Sequence, residues 1–190
     1  MKDVLTRKVT LIGLTDIMFD RYPGDNKTTL QPEDKMYFAR DGKTLIIPSA
    51  NIHSFLSATN TDSAPKRLLD SREYKKVAAA FQSYINIEPL DIVMEREGKP
   101  IVFNGFSNGE DKKSKIYIHE TVARLAKGIP NPKVRPVVSK PWSVSFALSL
   151  FKNEFIGEPM VRDMFDRGGI AIGLGTYRGT LGKFMVDKWE

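Results

Sequence analysis

The sequence predicts an α+β protein: an antiparallel sheet that carries helices on one face and has hairpins inserted between its core strands. Three stretches support this. In Trp142 to Phe151 the large residues Trp142, Val144, Phe146, Leu148 and Leu150 alternate with Ser143, Ser145, Ala147 and Ser149. That is the period-two pattern of a strand with one face in a core and one face open. Near the N-terminus, Val9 and Leu11 point one way and Thr10, Ile12 and Leu14 the other. Apolar groups on both faces place this strand in the middle of its sheet. At the C-terminus, Met160, Val161, Met164 and Phe165 recur at helical spacing behind Pro159, followed by a glycine-rich run and a strand from Lys183 to Trp189.

Taken in order, Val4 to Phe19 forms the first strand, and the polar segment Asp20 to Asp34, with Pro23, Gly24 and Pro32, a loop or protruding hairpin. Met36 to Ile47 reads as two short strands joined at Asp41-Gly42. Ser49 is placed as the N-cap of a helix whose Ile52, Phe55 and Leu56 share a face. A second helix, from about Pro65 to Tyr84, has Leu68, Leu69, Val77, Ala80, Phe81 and Tyr84 inward, with Lys66, Arg67, Arg72, Lys75 and Lys76 on or near its outer side. Pro89 to Phe103 is a hairpin turning at Gly98, and Asn104 to Ser114 an exposed turn. Ile116 to Lys127 fits a strand at its start and a helix at its end. In GIPNPKVRPVVSKP, Pro130, Pro132, Pro136 and Pro141 exclude regular structure and leave Lys133, Arg135 and Lys140 pointing outward. Gly168 and Gly169 stop the last helix. The whole reads as one domain over residues 1–190, with insertions at about 20–47 and 86–140.

Composition narrows the function. A chain of 190 residues with 41% hydrophobic and 27% charged residues is long enough for one good core. Without cysteine there is no disulfide framework or thiolate metal site. No apolar stretch reaches membrane-spanning length and the N-terminus lacks a signal-peptide core, so the protein is expected in the cytoplasm with no membrane partner. HExxH, EF-hand, GxGxxG and GxxxxGK[ST] patterns are absent, and neither a catalytic metal nor a cofactor is expected. The net charge of +6 favours polyanionic partners. Between residues 112 and 140, Lys112, Lys113, Lys115, Arg124, Lys127, Lys133, Arg135 and Lys140 stand against the single acid Glu120. Nucleic-acid binding leaves such a footprint, and so does a solvated basic face.

The glycine-rich run encloses Thr176, Tyr177, Arg178 and Lys183 between Gly173, Gly175, Gly179 and Gly182. Such a loop can present N–H groups to an anion beside cations and one ring, the makings of a phosphate-backbone site; a mobile hairpin with solvated charges has the same composition. Tyr177 and one of Tyr37 or Phe38 are candidate stacking platforms for unpaired bases, with Phe38 expected in the core. Of the two histidines, His119 sits among Ile116, Ile118 and Val122, which suits a structural role. His53 with Tyr177 and Lys183 supplies the minimum for a metal-independent ribonuclease, although a packed or solvent-facing histidine accounts for His53 as well.

The core order strand, helix, strand, helix, strand fits a ferredoxin-like sheet, the topology of RNA-recognition modules. TLIIPSANIHSFLSA, residues 44–58, resembles the strand-to-helix junction of the RAMP superfamily, which includes backbone subunits and guide-processing endoribonucleases of CRISPR systems. GGIAIGLGTYRGTLGKFMVDKW, residues 168–189, resembles the glycine-rich loop of that superfamily. The resemblance implies a modified RNA-recognition fold that holds a single-stranded RNA backbone and polymerises along it. The contact positions it implies are Ser49, Asn51, His53, Gly173, Gly175, Thr176, Tyr177, Arg178 and Lys183, to which the basic segments add Lys66, Arg67, Lys133 and Arg135. The length suits a free-standing relative, such as one encoded by a virus or mobile element. The expected function is binding of single-stranded RNA or DNA, as a homo-oligomer or with CRISPR-type protein partners. A guide-processing endoribonuclease using His53, or a CRISPR-subunit mimic acting through protein contacts, is the alternative.

Overall fold

The chain runs β1 (Val4–Gly13), β2 (Ile17–Met18), a 3-10 turn (Glu33–Lys35), β3 (Ile46–Pro48), α1 (Ser49–Ser57), α2 (Ala64–Leu68), α3 (Glu73–Tyr84), β4 (Ile85–Glu88), β5 (Asp91–Arg96), β6 (Lys99–Pro100), β7 (Ile116–Arg124), β8 (Pro130–Val138), β9 (Ser143–Phe151), α4 (Glu158–Ala171) and β10 (Phe184–Trp189). This computed structural model describes residues 3–25, 27–107, 115–124 and 130–190, and at Ala123, Arg124 and Asn131 the backbone alone. Lys112, Lys113 and Lys127, the Arg124 side chain and most of the expected turn before Ser114 therefore lie outside the described residues.

Strands β10, β1, β9 and β4 lie in the ferredoxin-like order, all antiparallel, with β1 in the interior as its two-faced apolar pattern predicts. Past Pro89 the chain returns to β9 as β5, and β3 pairs with β5 at the far edge. A smaller sheet, ordered β2-β8-β7, stands beside it. The helices cover one face of the main sheet. Phe165 of α4 meets Phe146 of β9 at 6.0 Å, Phe55 of α1 at 5.5 Å and Phe184 of β10 at 6.5 Å between ring centroids. Fully burying a side chain of this size stabilises the fold by about 1.5–3 kcal/mol. Among the described residues no helix is long and apolar enough to cross a membrane.

Several local expectations are corrected, each for a local reason. The first strand is not continuous to Phe19: a Cβ at Gly13 would run into the Trp142 indole, whose Nε1–H donates to the Thr15 carbonyl at 2.8 Å, and the chain turns there toward β8. In the Met36–Ile47 hairpin the first arm is a single bridge, Phe38 to Leu45, across the Asp41-Gly42 turn. Ser49 is not the N-cap. Pro48 takes that position, and Ser49 is buried as the first helical residue, its N–H donating to the Leu90 carbonyl at 2.8 Å. The expected helix from Pro65 to Tyr84 is two helices, because the Asp70 carboxylate accepts from the N–H groups of Arg72 (2.7 Å) and Glu73 (2.9 Å) and starts α3 afresh.

Gly168 and Gly169 do not stop α4 but lie inside it. A Cβ at Gly168 would stand 2.7 Å from the Ala64 Cβ, and one at Gly169 2.6 Å from the Phe184 carbonyl oxygen. The helix ends at Ala171, and Gly173 turns the chain at φ +72°. The proline-rich segment is a strand, β8, in register with β7, which is itself strand throughout its described length. Pro130, Pro132 and Pro136 face Arg124, Val122 and Ile118, all at positions of one parity. At that parity the backbone groups point away from β7, as the Pro136 carbonyl does in accepting from Phe19 N–H at 3.0 Å, so the missing donors remove no bond from the β7–β8 ladder.

Candidate nucleic-acid interface

β1 and β10 meet at one end of the main sheet, and the loop Gly173–Lys183 crosses that end. Its glycines are required by close backbone contact: a side chain at Gly182 would overlap the Leu174 carbonyl, and one at Gly173 the Gly182 backbone. Most of the loop's amides are bonded inside the protein. Thr176 N–H donates to the Met18 carbonyl (2.8 Å), Gly179 N–H to that of Ile172 (2.8 Å), Gly182 N–H to that of Asp16 (2.7 Å) and Lys183 N–H to the Thr15 hydroxyl (3.0 Å). Tyr177 holds φ +58° and leaves its side chain 56% exposed at the loop tip. A non-glycine residue in that conformation is strained, and such strain is common at binding sites.

Arg178 points inward. Its guanidinium donates to the Gly175 carbonyl at 3.2 Å and to the Asp62 carbonyl, and burial draws its pKa below the ordinary value. The loop is thereby fixed to the segment before α2. There Lys66 Nζ donates to the Thr59 carbonyl (3.3 Å) and Arg67 to the Asp62 carboxylate (3.0 Å), both side chains exposed. The structure thus brings Lys66, Arg67 and Arg178 together, although they are distant in sequence.

The same loop abuts the β7–β8 hairpin. Leu181 packs on Met18, Tyr117 and Val137. The Asp16 carboxylate accepts from the Tyr117 hydroxyl (2.7 Å) and from Lys140 N–H (3.0 Å), while its carbonyl accepts from Gly182. Burial, reinforced by the bond to Asp16, raises the Tyr117 phenol well above its ordinary pKa. Register puts Tyr117, His119 and Thr121 opposite Val137, Arg135 and Lys133, so these six side chains share one face of the hairpin, the face on which Leu181 rests. Arg135 is held by Asp20 at 2.7 Å. Asp16, Asp20 and Tyr117, which set this geometry, escaped the sequence reading. Their partners lie 101 and 115 residues away, and two aspartates bracketing three apolar residues are an uninformative pattern.

His53 lies elsewhere. With Ser49, Ser54, Gln82, Asn86 and Leu90 it lines an open groove of about 700 Å³ between α1, α3 and β4. The lining carries no formal charge, and burial lowers the His53 pKa toward the neutral imidazole. Asn51 is half-buried on α1, and neither Tyr177 nor Lys183 lines this groove. The open face of the main sheet carries the hydroxyl pairs Thr6–Ser149 (3.1 Å) and Thr10–Ser145 (2.9 Å). Its two shallow grooves hold Lys8 and Lys188 but also Glu88, Glu95, Glu97 and Asp187. Among the described residues no group of three His, Asp or Glu side chains is placed to hold a metal ion.

No family model matches the sequence, and no curated protein matches it. Among solved structures, the chain is similar to a chain in the cryo-EM structure of the Type III-B Cmr-beta bound to cognate target RNA, with a TM-score of 0.58 and 14% sequence identity over 99% of this chain. It spans 60% of the length of that chain. At this identity the likeness is one of fold, and an antiparallel α+β fold is what this protein shares with a chain of that assembly.

Proposed function

We propose that this protein binds single-stranded nucleic acid, RNA in the first instance, along a strip that starts at the glycine-rich loop and continues over one face of the β7–β8 hairpin. The observation that carries this reading is continuity. Leu181 and Asp16 join loop to hairpin, so the loop that carries Tyr177 and Lys183 abuts the hairpin face on which Lys133 and Arg135 lie. Tyr177 stacks on an unpaired base, a contact worth about 1–3 kcal/mol. Lys183, Lys133, Lys66 and Arg67 meet phosphates, Arg135 stays on Asp20 beneath them, and Gly173, Gly175 and Thr176 shape the loop that Arg178 holds in place. Ser49, Asn51 and His53 belong to α1, where Ser49 and His53 line a groove apart from this strip.

The likeness to a chain of an assembly solved with its target RNA supports this reading, as do the two RAMP-like segments. In this reading residues 1–190 act as one RAMP-like unit, with insertions at about 20–47 and 86–140, and line up on the strand with further copies or with CRISPR-type protein partners. Guide-processing cleavage requires His53 to work with Tyr177 and Lys183. His53 lines a separate groove, and binding without cleavage is favoured.

Fluorescence anisotropy with an unstructured labelled RNA over a salt series tests the proposal. Affinity should fall steeply with salt, and Lys133→Ala with Lys183→Ala should flatten the log–log slope by roughly one for each phosphate contact removed. Unchanged affinity of that double variant at low salt would remove the strip from the site. RNA left intact in EDTA agrees with a binding protein; cleavage abolished by His53→Ala would establish the nuclease instead.

A further inference from the structure

Between the Asp20–Lys35 segment and β8 lies a further, smaller opening, a cleft of about 320 Å³ whose lining includes Arg21, Tyr22, Thr29, Lys35 and Lys133. We infer that this cleft is a site for a phosphate monoester, the terminal phosphate of a bound strand, an inference that rests on the single-strand reading above. The charge arrangement carries it. One carboxylate, Asp20, serves two cations that are almost out of water: Arg135, 14% exposed at 2.7 Å, and Lys35, 12% exposed at 3.6 Å. Lys35 also donates to the Val134 carbonyl at 2.7 Å, which satisfies a hydrogen bond but not a charge.

Buried charge is costly when its counter-charge is incomplete. Arg21 and Lys133 open onto the same cleft, and among the described residues neither lies within ion-pair distance of a carboxylate. The other acid lining the cleft, Asp25, is turned into its own loop by the Thr28 hydroxyl (2.7 Å) and the N–H groups of Lys27 and Thr28 (2.6 Å each). Glu33 and Asp34 are exposed and line no part of it. Arg21, Lys35 and Lys133 line the cleft against Asp20 and Asp25, and Arg135, outside the lining, draws on the same Asp20, so that four cations share two carboxylates and two positive charges are in excess. A terminal phosphate carries about −1.5 to −2 near neutral pH, whereas an internal phosphodiester carries a single charge, so the excess matches a chain end or free phosphate.

The test compares three otherwise identical oligonucleotides, with a 5′-phosphate, a 3′-phosphate or hydroxyls at both ends, each titrated into wild type, Arg21→Gln and the open-face control Lys8→Gln. Inorganic phosphate is titrated separately by thermal shift against chloride at equal ionic strength. Arg21 is exposed on a loop, so the variant keeps its fold, which a thermal melt verifies. Expected is roughly tenfold to a hundredfold tighter binding of one phosphorylated end, lost in Arg21→Gln and kept in Lys8→Gln. Strand binding indifferent to the terminal phosphate would overturn the cleft and leave the strip standing. Protection by inorganic phosphate that Arg21→Gln abolishes, with no strand bound, would support the phosphate site and overturn the strand. Neither kind of binding would overturn both.

Discussion

Tyr117 shows how much rests on single side chains here, since its hydroxyl satisfies Asp16 and its ring carries Leu181. Tyr117→Phe should cost about 1–3 kcal/mol by leaving a partly buried carboxylate one donor short, read as a lower urea midpoint at unchanged slope. A midpoint equal to wild type would show that water replaces the hydroxyl. Gly168→Ala adds a methyl where Ala64 and Phe55 leave no room, and overpacking of this kind costs about 1–3 kcal/mol. Equal stability of that variant would mean that α2 yields freely. Asp41 gives the clearest pH effect. The Thr44 hydroxyl, the Thr44 N–H and the Lys43 N–H hold its carboxyl at about 2. Because the folded value lies below the unfolded one, this carboxylate favours the fold above the usual carboxylate pKa of about 4, and the contribution is lost as pH falls through about 2. The stability gap between wild type and Asp41→Asn should therefore narrow between pH 4 and pH 2; a constant gap would assign the turn's stability to other groups.

At the level of elements, Asp70 separates α2 from α3, and Asp70→Ala should lower stability by about 1 kcal/mol by removing the acceptor for two first-turn amides. A change below a few tenths would show that water caps α3 equally well. The aspartate was visible in the sequence, but the apolar periodicity on either side of it hid the break. β9 was legible because its large residues keep strict alternation, and the β5–β6 turn because glycine follows a polar residue between two apolar runs. β8 was not legible from its number of prolines, since what decides is their parity. Gly168 and Gly169 looked like a stop because their reason lies across space, in Ala64 and Phe184. The same division holds for the site. Composition pointed to the glycine-rich loop and to Lys133 and Arg135, whereas the bonds that join them depend on long-range register.

Across the whole molecule the charges are unevenly spread. The open sheet face sets Lys8 and Lys188 among four carboxylates, while the loop and hairpin end carries cations with fewer acids beside them. Lys8→Ala with Lys188→Ala should leave strand affinity within about twofold, and Lys133→Ala with Lys183→Ala should lower it at least about tenfold at low salt. The reverse ranking would move the binding surface to the open face. The proline parity of β8 has a further outcome at this scale. With Pro130, Pro132 and Pro136 at the positions whose amides would face outward, that margin of the smaller sheet lacks three N–H donors, and its Val134 and Pro136 carbonyls are already taken by Lys35 and by Phe19 N–H. A rim of this kind cannot template another chain's ladder, so the protein is protected there against fibril growth, and contacts between copies at that rim have to be made by side chains that can let go again.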